Sequence, residues 1–300
     1  FKLMKRKKQI FNTFFLVLLV NTTLAQITFQ KTYGGTNSDF GSSMLKTIDR
    51  GYIIAGAQFN SSGTNANFYL NKTDSIGTLL WSKTYGGTND ERCYSIDQTN
   101  DSGYILAGFT SSFGASIGGD VYLVKTDSSG NLLWSKTYGG AYGDLANCVK
   151  QTTDRGFIIA GQTNSCLSCL SDVYLIKTDS IGDTLWTKSY GGSNTDKAQA
   201  IEQTDDGGYI IAGTTVLSGN SEMYLIKTNN IGDTLWTKAF GVTMYNEAYS
   251  VQQTVDGGYI VVGYSDSLGT GNRDFYLLKT DTNGNLLWSK LFGGTGDDMA

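Results

Sequence analysis

A glycine-bounded hexapeptide recurs five times in this chain: GYIIAG at 51–56, GYILAG at 103–108, GFIIAG at 156–161, GYIIAG at 208–213 and GYIVVG at 258–263, about 52 residues apart. A fixed period of that size means an array of one supersecondary unit. The rest of the unit keeps the same beat. A Thr-x-Asp turn precedes each hexapeptide (Asp49, Asp101, Asp154, Asp206, Asp256), and a Tyr-Leu-x-Lys-Thr segment follows it, carrying Lys72, Lys125, Lys177, Lys227 and Lys279. Then come Trp81, Trp134, Trp186, Trp236 and Trp288, which are all the tryptophans of the chain, each leading into an aromatic-Gly pair.

Each clause reads as a short strand. Apolar runs of about four to eight residues, rich in Ile, Val, Leu and Tyr and bounded by Gly, Asp, Asn and Ser, favour strands over helices. Asp-Gly-Gly at 206–208 and 256–258, and Asn283-Gly284, supply turn residues that tolerate positive φ. No helical pattern occurs beyond the N-terminus. The unit is four strands, a to d, which in the second copy cover 94–99, 103–110, 121–126 and 132–138. Four-stranded antiparallel units of about 40–50 residues are the blades of β-propellers, and the rival β-solenoid has shorter coils. The expected fold is all-β: a β-propeller of five complete blades, an N-terminal d strand (27–33) and the start of a sixth blade at 293–300. On this reading the chain is part of a longer ring of six blades or more. The tryptophans are expected between blades, where truncating a buried one costs about 3–5 kcal/mol.

Residues 1–25 read as a secretory signal peptide and 26–300 as the propeller domain. The segment has a basic head (Lys5, Arg6, Lys7, Lys8), a short apolar core and small residues at the expected cut. The core is too short to span a membrane, so none is expected after cleavage. Five of the 23 basic residues and none of the 27 acidic ones lie in this segment, leaving 18 against 27 and a net charge of −9. Such an acidic surface argues against nucleic acid as a partner. The chain has no histidine, which excludes a Ser-His-Asp triad or a His-ligated zinc within it. Of the four cysteines, Cys166 and Cys169 share one b–c loop, where a local disulfide is preferred. Cys93 and Cys148 fall at inequivalent places near a strands.

The constellation GYIIAG, YLIKTD and LWSKTYGG resembles secreted Bacteroidota-type β-propeller repeat proteins, often cargo of type IX secretion, over nearly all of 27–300. The resemblance implies export and a propeller; it is weak on activity. Some relatives carry an endoglucanase label, but no catalytic motif here supports it. The Thr-Asp-x-x-Gly-x-x-x-Trp stretch also looks like the tryptophan motif of quinoprotein-type repeats, a likeness of packing only.

An acidic residue recurs after each aromatic-Gly pair: Asp39, Asp90 with Glu91, Asp144, Asp196, Glu247, and Asp297 with Asp298. In a ring these lie on one face, where they could bind Ca²⁺ or supply a carboxylate pair for glycoside hydrolysis. Recurrence in every blade favours loop-bracing instead. No organic cofactor is implied. The b–c connections (58–67, 110–119, 163–171, 214–221 and 264–273) differ most between copies, so a specific ligand would be read there, with Phe59, Phe113 and Arg273 as candidate contacts. The sequence is therefore read as a secreted or cell-surface binding scaffold for a polysaccharide or surface protein. The alternatives are an extracellular carbohydrate-active hydrolase using loop carboxylates and a structural spacer.

Overall fold

The b strands carry large apolar side chains at successive positions, which only a sheet covered on both faces can bury. The computed structural model, which describes residues 29–114, 116–165, 170–241, 245–266, 273–294 and 296–298, shows how this is done. Blade I is β1 (Asp39–Lys46), β2 (Tyr52–Phe59), β3 (Ala66–Thr73) and β4 (Leu79–Tyr85). Blade II is β5 (Glu91–Gln98), β6 (Tyr104–Thr110), β7 (Asp120–Thr126) and β8 (Leu132–Tyr138). Blade III is β9 (Asp144–Gln151), β10 (Phe157–Thr163), β11 (Asp172–Thr178) and β12 (Thr184–Tyr190). Blade IV is β13 (Asp196–Gln203), β14 (Tyr209–Leu217), β15 (Asn220–Thr228) and β16 (Thr234–Phe240). Blade V is β17 (Asn246–Gln253), β18 (Tyr259–Ser265), β19 (Asp274–Thr280) and β20 (Leu286–Phe292). Each blade is one antiparallel sheet in sequence order, and the inner strands β1, β5, β9, β13 and β17 neighbour one another around an axis.

The core is a set of layers between blades. In β6, Tyr104 and Leu106 pack against blade I, whereas Ile105 and Ala107 pack against blade III. Each outer strand reaches the next blade through its aromatic pair. Trp81, Trp134, Trp186 and Trp236 lie 5.8–6.3 Å from the rings of Tyr104, Phe157, Tyr209 and Tyr259. The hydroxyls of Tyr85, Tyr138 and Tyr190 donate to the carbonyls of Gly130, Gly182 and Gly232 at 2.7, 2.7 and 2.5 Å. The first four tryptophans are half-buried and Trp288 is 41 % exposed, so the cost expected for a fully enclosed ring applies to none of them. On the inner side, a glutamine of each of blades II to V accepts a backbone N–H from the preceding blade's turn, as Gln151 does from Asn100 at 2.8 Å.

The N-terminal segment takes the d strand's packing place without its ladder. Phe29 stands where the other copies have tryptophan, 5.9 Å from Tyr52, and the Tyr33 hydroxyl donates to Gly77 O at 2.6 Å. It forms no strand, because a d strand pairs only with the c strand of its own blade. At the other end, Gly294 N donates to Asp298 at 2.7 Å, repeating the entry to an inner strand.

The inner strands begin three residues earlier than the sequence pattern indicates. A bulge at the fourth residue of each interrupts the alternation: Ser42, Tyr94, Asn147, Gln199 and Tyr249 lack a register partner. The last glycine of the hexapeptide permits this. A β-carbon on Gly56, Gly108, Gly161, Gly213 or Gly263 would sit 1.8–2.0 Å from the carbonyl oxygen of the bulged strand.

The first glycine of the hexapeptide makes room for a buried lysine. Lys72, Lys125, Lys177, Lys227 and Lys279 pair with Asp49, Asp101, Asp154, Asp206 and Asp256 of the same blade at 2.8–3.0 Å, so these pairs are within blades rather than between them. In blade III the Lys177 side chain is 4 % exposed and that of Asp154 is 57 %. The charge that has lost its water is the lysine's. Asp154→Ala is therefore expected to destabilise the protein by about 2–3 kcal/mol, and Lys177→Met, which keeps the buried stem and frees an already hydrated carboxylate, by about 1 kcal/mol or less. Urea unfolding of the two variants checks the order; equal or reversed losses would contradict it.

The same turns respond to acid. The Lys72 ammonium and the Thr47 hydroxyl hold Asp49 at about 2, and the Thr254 hydroxyl and Lys279 hold Asp256 there too. A carboxylate depressed in the folded state stabilises fully above its unfolded pKa, near 3.8, and progressively less as pH falls towards about 2. The urea midpoint is expected to decline between these values, less steeply in Lys72→Met, where the strongest hydrogen bond to Asp49 is gone.

Candidate functional site

The strand order divides the molecule into two ends. The a–b and c–d turns share one face and nearly repeat from blade to blade. The b–c and d–a loops share the other, where the copies diverge. Between the faces runs an axial channel.

On the turn face the polar groups are consumed locally. Asp281 Oδ1 accepts the backbone N–H groups of Asn283 and Asn285 at 2.9 and 2.8 Å, closing its own hairpin. The left-handed fourth residue of the a–b turn is Gly207 or Gly257 in blades IV and V but Arg50, Ser102 or Arg155 in the others.

The channel has a cavity of about 710 Å³ lined by all five inner strands. The bulged positions contribute Tyr94, Asn147, Gln199 and Tyr249, with Lys150, Glu202 and Gln252 further along. Every one of these side chains differs from its neighbour in the next blade, which sets the lining apart from the scaffold. Cys148 also lines the channel; it and Cys93 are free thiols. Cys166 and Cys169 lie outside the described residues, as does the whole of 1–28.

On the loop face the sequence-picked acids hold loops. Asp39 accepts N–H groups from Gly35 (2.6 Å) and Phe59 (3.3 Å). Asp144 accepts from Gly140 N (2.7 Å) and Ser165 Oγ (3.2 Å), and Asp196 from Gly192 N (3.1 Å). Asp90 stands one residue out of this series: it pairs with Arg92 at 2.8 Å, and Glu91 fills the equivalent place, accepting from Gly87 N at 2.8 Å. Asn246, not Glu247, is the blade V counterpart. The acids are first residues of inner strands, 0–3 % exposed at Glu91, Asp144 and Asp196, rather than a crown reaching into solvent.

Phe59, Phe113 and Arg273 all lie on this face but not together. Phe59 meets Phe40 at 6.1 Å with the Arg92 guanidinium 5.9 Å over its ring. Phe113 leans on Tyr122 at 5.5 Å and is 42 % exposed. Arg273, in blade V, lies 5.0 Å over Tyr264 and 3.5 Å from Asp266. Burial first, and the charges of Asp297 and Glu247 against that of Arg273, raise Asp266 above the usual carboxylate range.

The exposed residues that sequence reasoning missed are aliphatic as much as aromatic. Ile117 (83 %), Tyr142 (58 %), Leu170 (71 %) and Tyr245 (52 %) project from the b–c and d–a loops, and Leu217 (44 %) from the end of β14. Short parallel bridges tie these loops across blades, Ile117 to Tyr142 and Ser221 to Tyr245. The turn face also exposes apolar side chains, but there they repeat, as Ile76, Ile181 and Ile231 in the c–d turns. Among the described residues, three or more Cys, Asp or Glu side chains nowhere gather as a metal cluster, and no helix is long and apolar enough to cross a membrane.

No family model matches the chain. Over 159 residues, 46 % of its length, it is 28 % identical to the regulatory protein FlaEY of Caulobacter vibrioides, of which the match covers 17 %. Among solved structures, Sqt1 from Chaetomium thermophilum bound to the N-terminus of ribosomal protein L10 aligns with a TM-score of 0.51 at 11 % identity, covering 88 % of this chain and 66 % of that one. An endo-arabinase from Bacteroides thetaiotaomicron aligns with a TM-score of 0.47 at 12 % identity, covering 79 % and 93 %. The chain thus spans under two-thirds of Sqt1 and a small part of FlaEY. At such identities the structural likeness speaks for the fold alone, and the fold is a β-propeller of four-stranded antiparallel blades.

Proposed function

We propose that this chain is an exported propeller that binds a protein partner on its loop face. The carrying observation is the set of exposed, non-repeating apolar side chains there, Ile117, Tyr142, Leu170, Leu217 and Tyr245. Scattered single exposures need no explanation, but the bridge between Ile117 and Tyr142 sets two of them side by side, in a patch that water solvates poorly. Branched aliphatic side chains suit a protein surface better than a sugar ring, which favours flat aromatic platforms and polar hydrogen-bonding groups. Export rests on the composition of residues 1–25 and on the likeness of the repeats to secreted Bacteroidota cargo. The hydrolase reading is disfavoured because the loop carboxylates are buried and already engaged by backbone N–H groups.

The test is binding of the purified chain to an isolated cell-surface protein fraction and to a polysaccharide array. Ile117→Ser with Tyr142→Ala is expected to weaken protein binding at least about tenfold, the loss typical of central interface residues, with an unchanged melting temperature. Binding to polysaccharide alone, or protein binding indifferent to this pair, would overturn the assignment.

A further inference from the structure

At each blade junction two side chains meet over the first glycine of the Tyr/Phe-Gly step. One lies within the first three residues of the c strand, and the other is the first residue of the next blade's a strand or, at the last junction, Asp298, which follows the last described strand. The pairs are Asn67 with Glu91, Asp120 with Asp144, Asp172 with Asp196, Glu222 with Asn246, and Asp274 with Asp298. The c-strand member stands two residues before the repeated tyrosine, a position readable only once the repeats are laid side by side.

The geometry is close. A β-carbon on Gly191 would lie 2.2 Å from Asp172 Oδ1 and 2.6 Å from Asp196 Oδ2, and one on Gly139 would lie 2.4 Å from Asp120 Oδ1 and 2.5 Å from Asp144 Oδ2. On Gly293 it would lie 1.9 Å from Asp274 Oδ1 and 3.0 Å from Asp298 Oδ2. None of these glycines has positive φ, so their role is space. Two carboxylate oxygens thus face one point at three junctions. Asp274 is 2 % exposed, and its Oδ1, the atom aimed at that point, has no hydrogen-bond partner; Asp172 Oδ1 is likewise buried and unmatched. Among the described residues no lysine or arginine pairs with Asp172, Asp196 or Asp274.

We infer that the Asp172–Asp196 pair, and its equivalent Asp274–Asp298, bind a hard divalent cation, Ca²⁺, that at the first of these pins consecutive blades together. A buried, unmatched carboxylate oxygen that faces a second carboxylate calls for a counter-charge, and oxygen donors with no soft ligand suit a hard cation; Ca²⁺ tolerates an irregular set, its remaining positions filled by main-chain carbonyls and water. Two carboxylates per site place the affinity at about 10⁻⁴–10⁻³ M. Junction IV/V is the internal control, because Asn246 turns its amide nitrogen towards Gly241 and donates it to Ser221 O at 3.2 Å.

The experiment uses the full chain stripped with EGTA. Tb³⁺ reports directly, since Tyr224 lines one cavity with Asp196 and can serve as its sensitiser. Tyrosine-sensitised Tb³⁺ emission displaced by Ca²⁺, and a melting temperature raised by millimolar Ca²⁺, are expected. Asp172→Asn, an exchange equivalent positions already show, should remove one site, and Asn246→Asp should add one. Two results would overturn the inference. One is the absence of Ca²⁺-displaceable emission. The other is a Ca²⁺-independent melting temperature that rises in Asp172→Asn, which would mean that the pair only repels or shares a proton.

Discussion

A four-stranded sheet with apolar side chains on both faces is insoluble by itself and must be covered twice. In this protein each copy of the sheet covers the next, and the indole-on-ring contact of the outer strand with the following blade carries that cover to the rim. Trp186 against Tyr209, and the Tyr190 hydroxyl on Gly232 O, are one such closure. Where no following blade is described, the same side chain is left bare, as Trp288 shows. Blade packing, rather than strand propensity, therefore decides which side chains are inside.

The repeated residues are accounted for by three close approaches. The first glycine of the hexapeptide admits a buried lysine and the carbonyl beside it, and the last admits the carbonyl of the bulged inner strand. The glycine after the outer strand's aromatic admits two opposed side chains from neighbouring blades. Once these are assigned, the invariants of the repeat belong to the scaffold. The variable positions fall in two places, the channel lining at the bulges and the loop face. A ligand specific to this protein would be met there, since an array that repeats its binding groups in every blade cannot distinguish one blade's surroundings from another's.

Much of the blade was legible. The d strand at 132–138 matches β8, and the b strand differs by its first residue, because period and turn chemistry agree there. The inner strands were read short for a definite reason. A bulge at Tyr94 shifts the alternation by one residue, so the half preceding it looks like loop, and Glu91 and Asp144 were placed in loops instead of in the sheet. That error also hid the paired carboxylates at the blade junctions. With the acids in loops, nothing decided between Asp90 and Glu91 as the counterpart of Asp144, and the partners Asp120 and Asp172 went unnoticed because they belong to a strand two elements away. Phe59, Phe113 and Arg273 lie on the divergent face, but the bridging of loops across blades is tertiary and left no trace in the pattern.

The central claim is that consecutive units pack face to face through their aromatic rings. A double-mutant cycle on Trp134 and Phe157, whose rings meet edge to face at 5.9 Å across junction II/III, tests it most directly. Replacing each by leucine, singly and together, should reveal a coupling of about 0.5–1.5 kcal/mol in urea unfolding. Losses that simply add, within about 0.3 kcal/mol, would mean that the two residues do not touch and that the blades are not arranged as described.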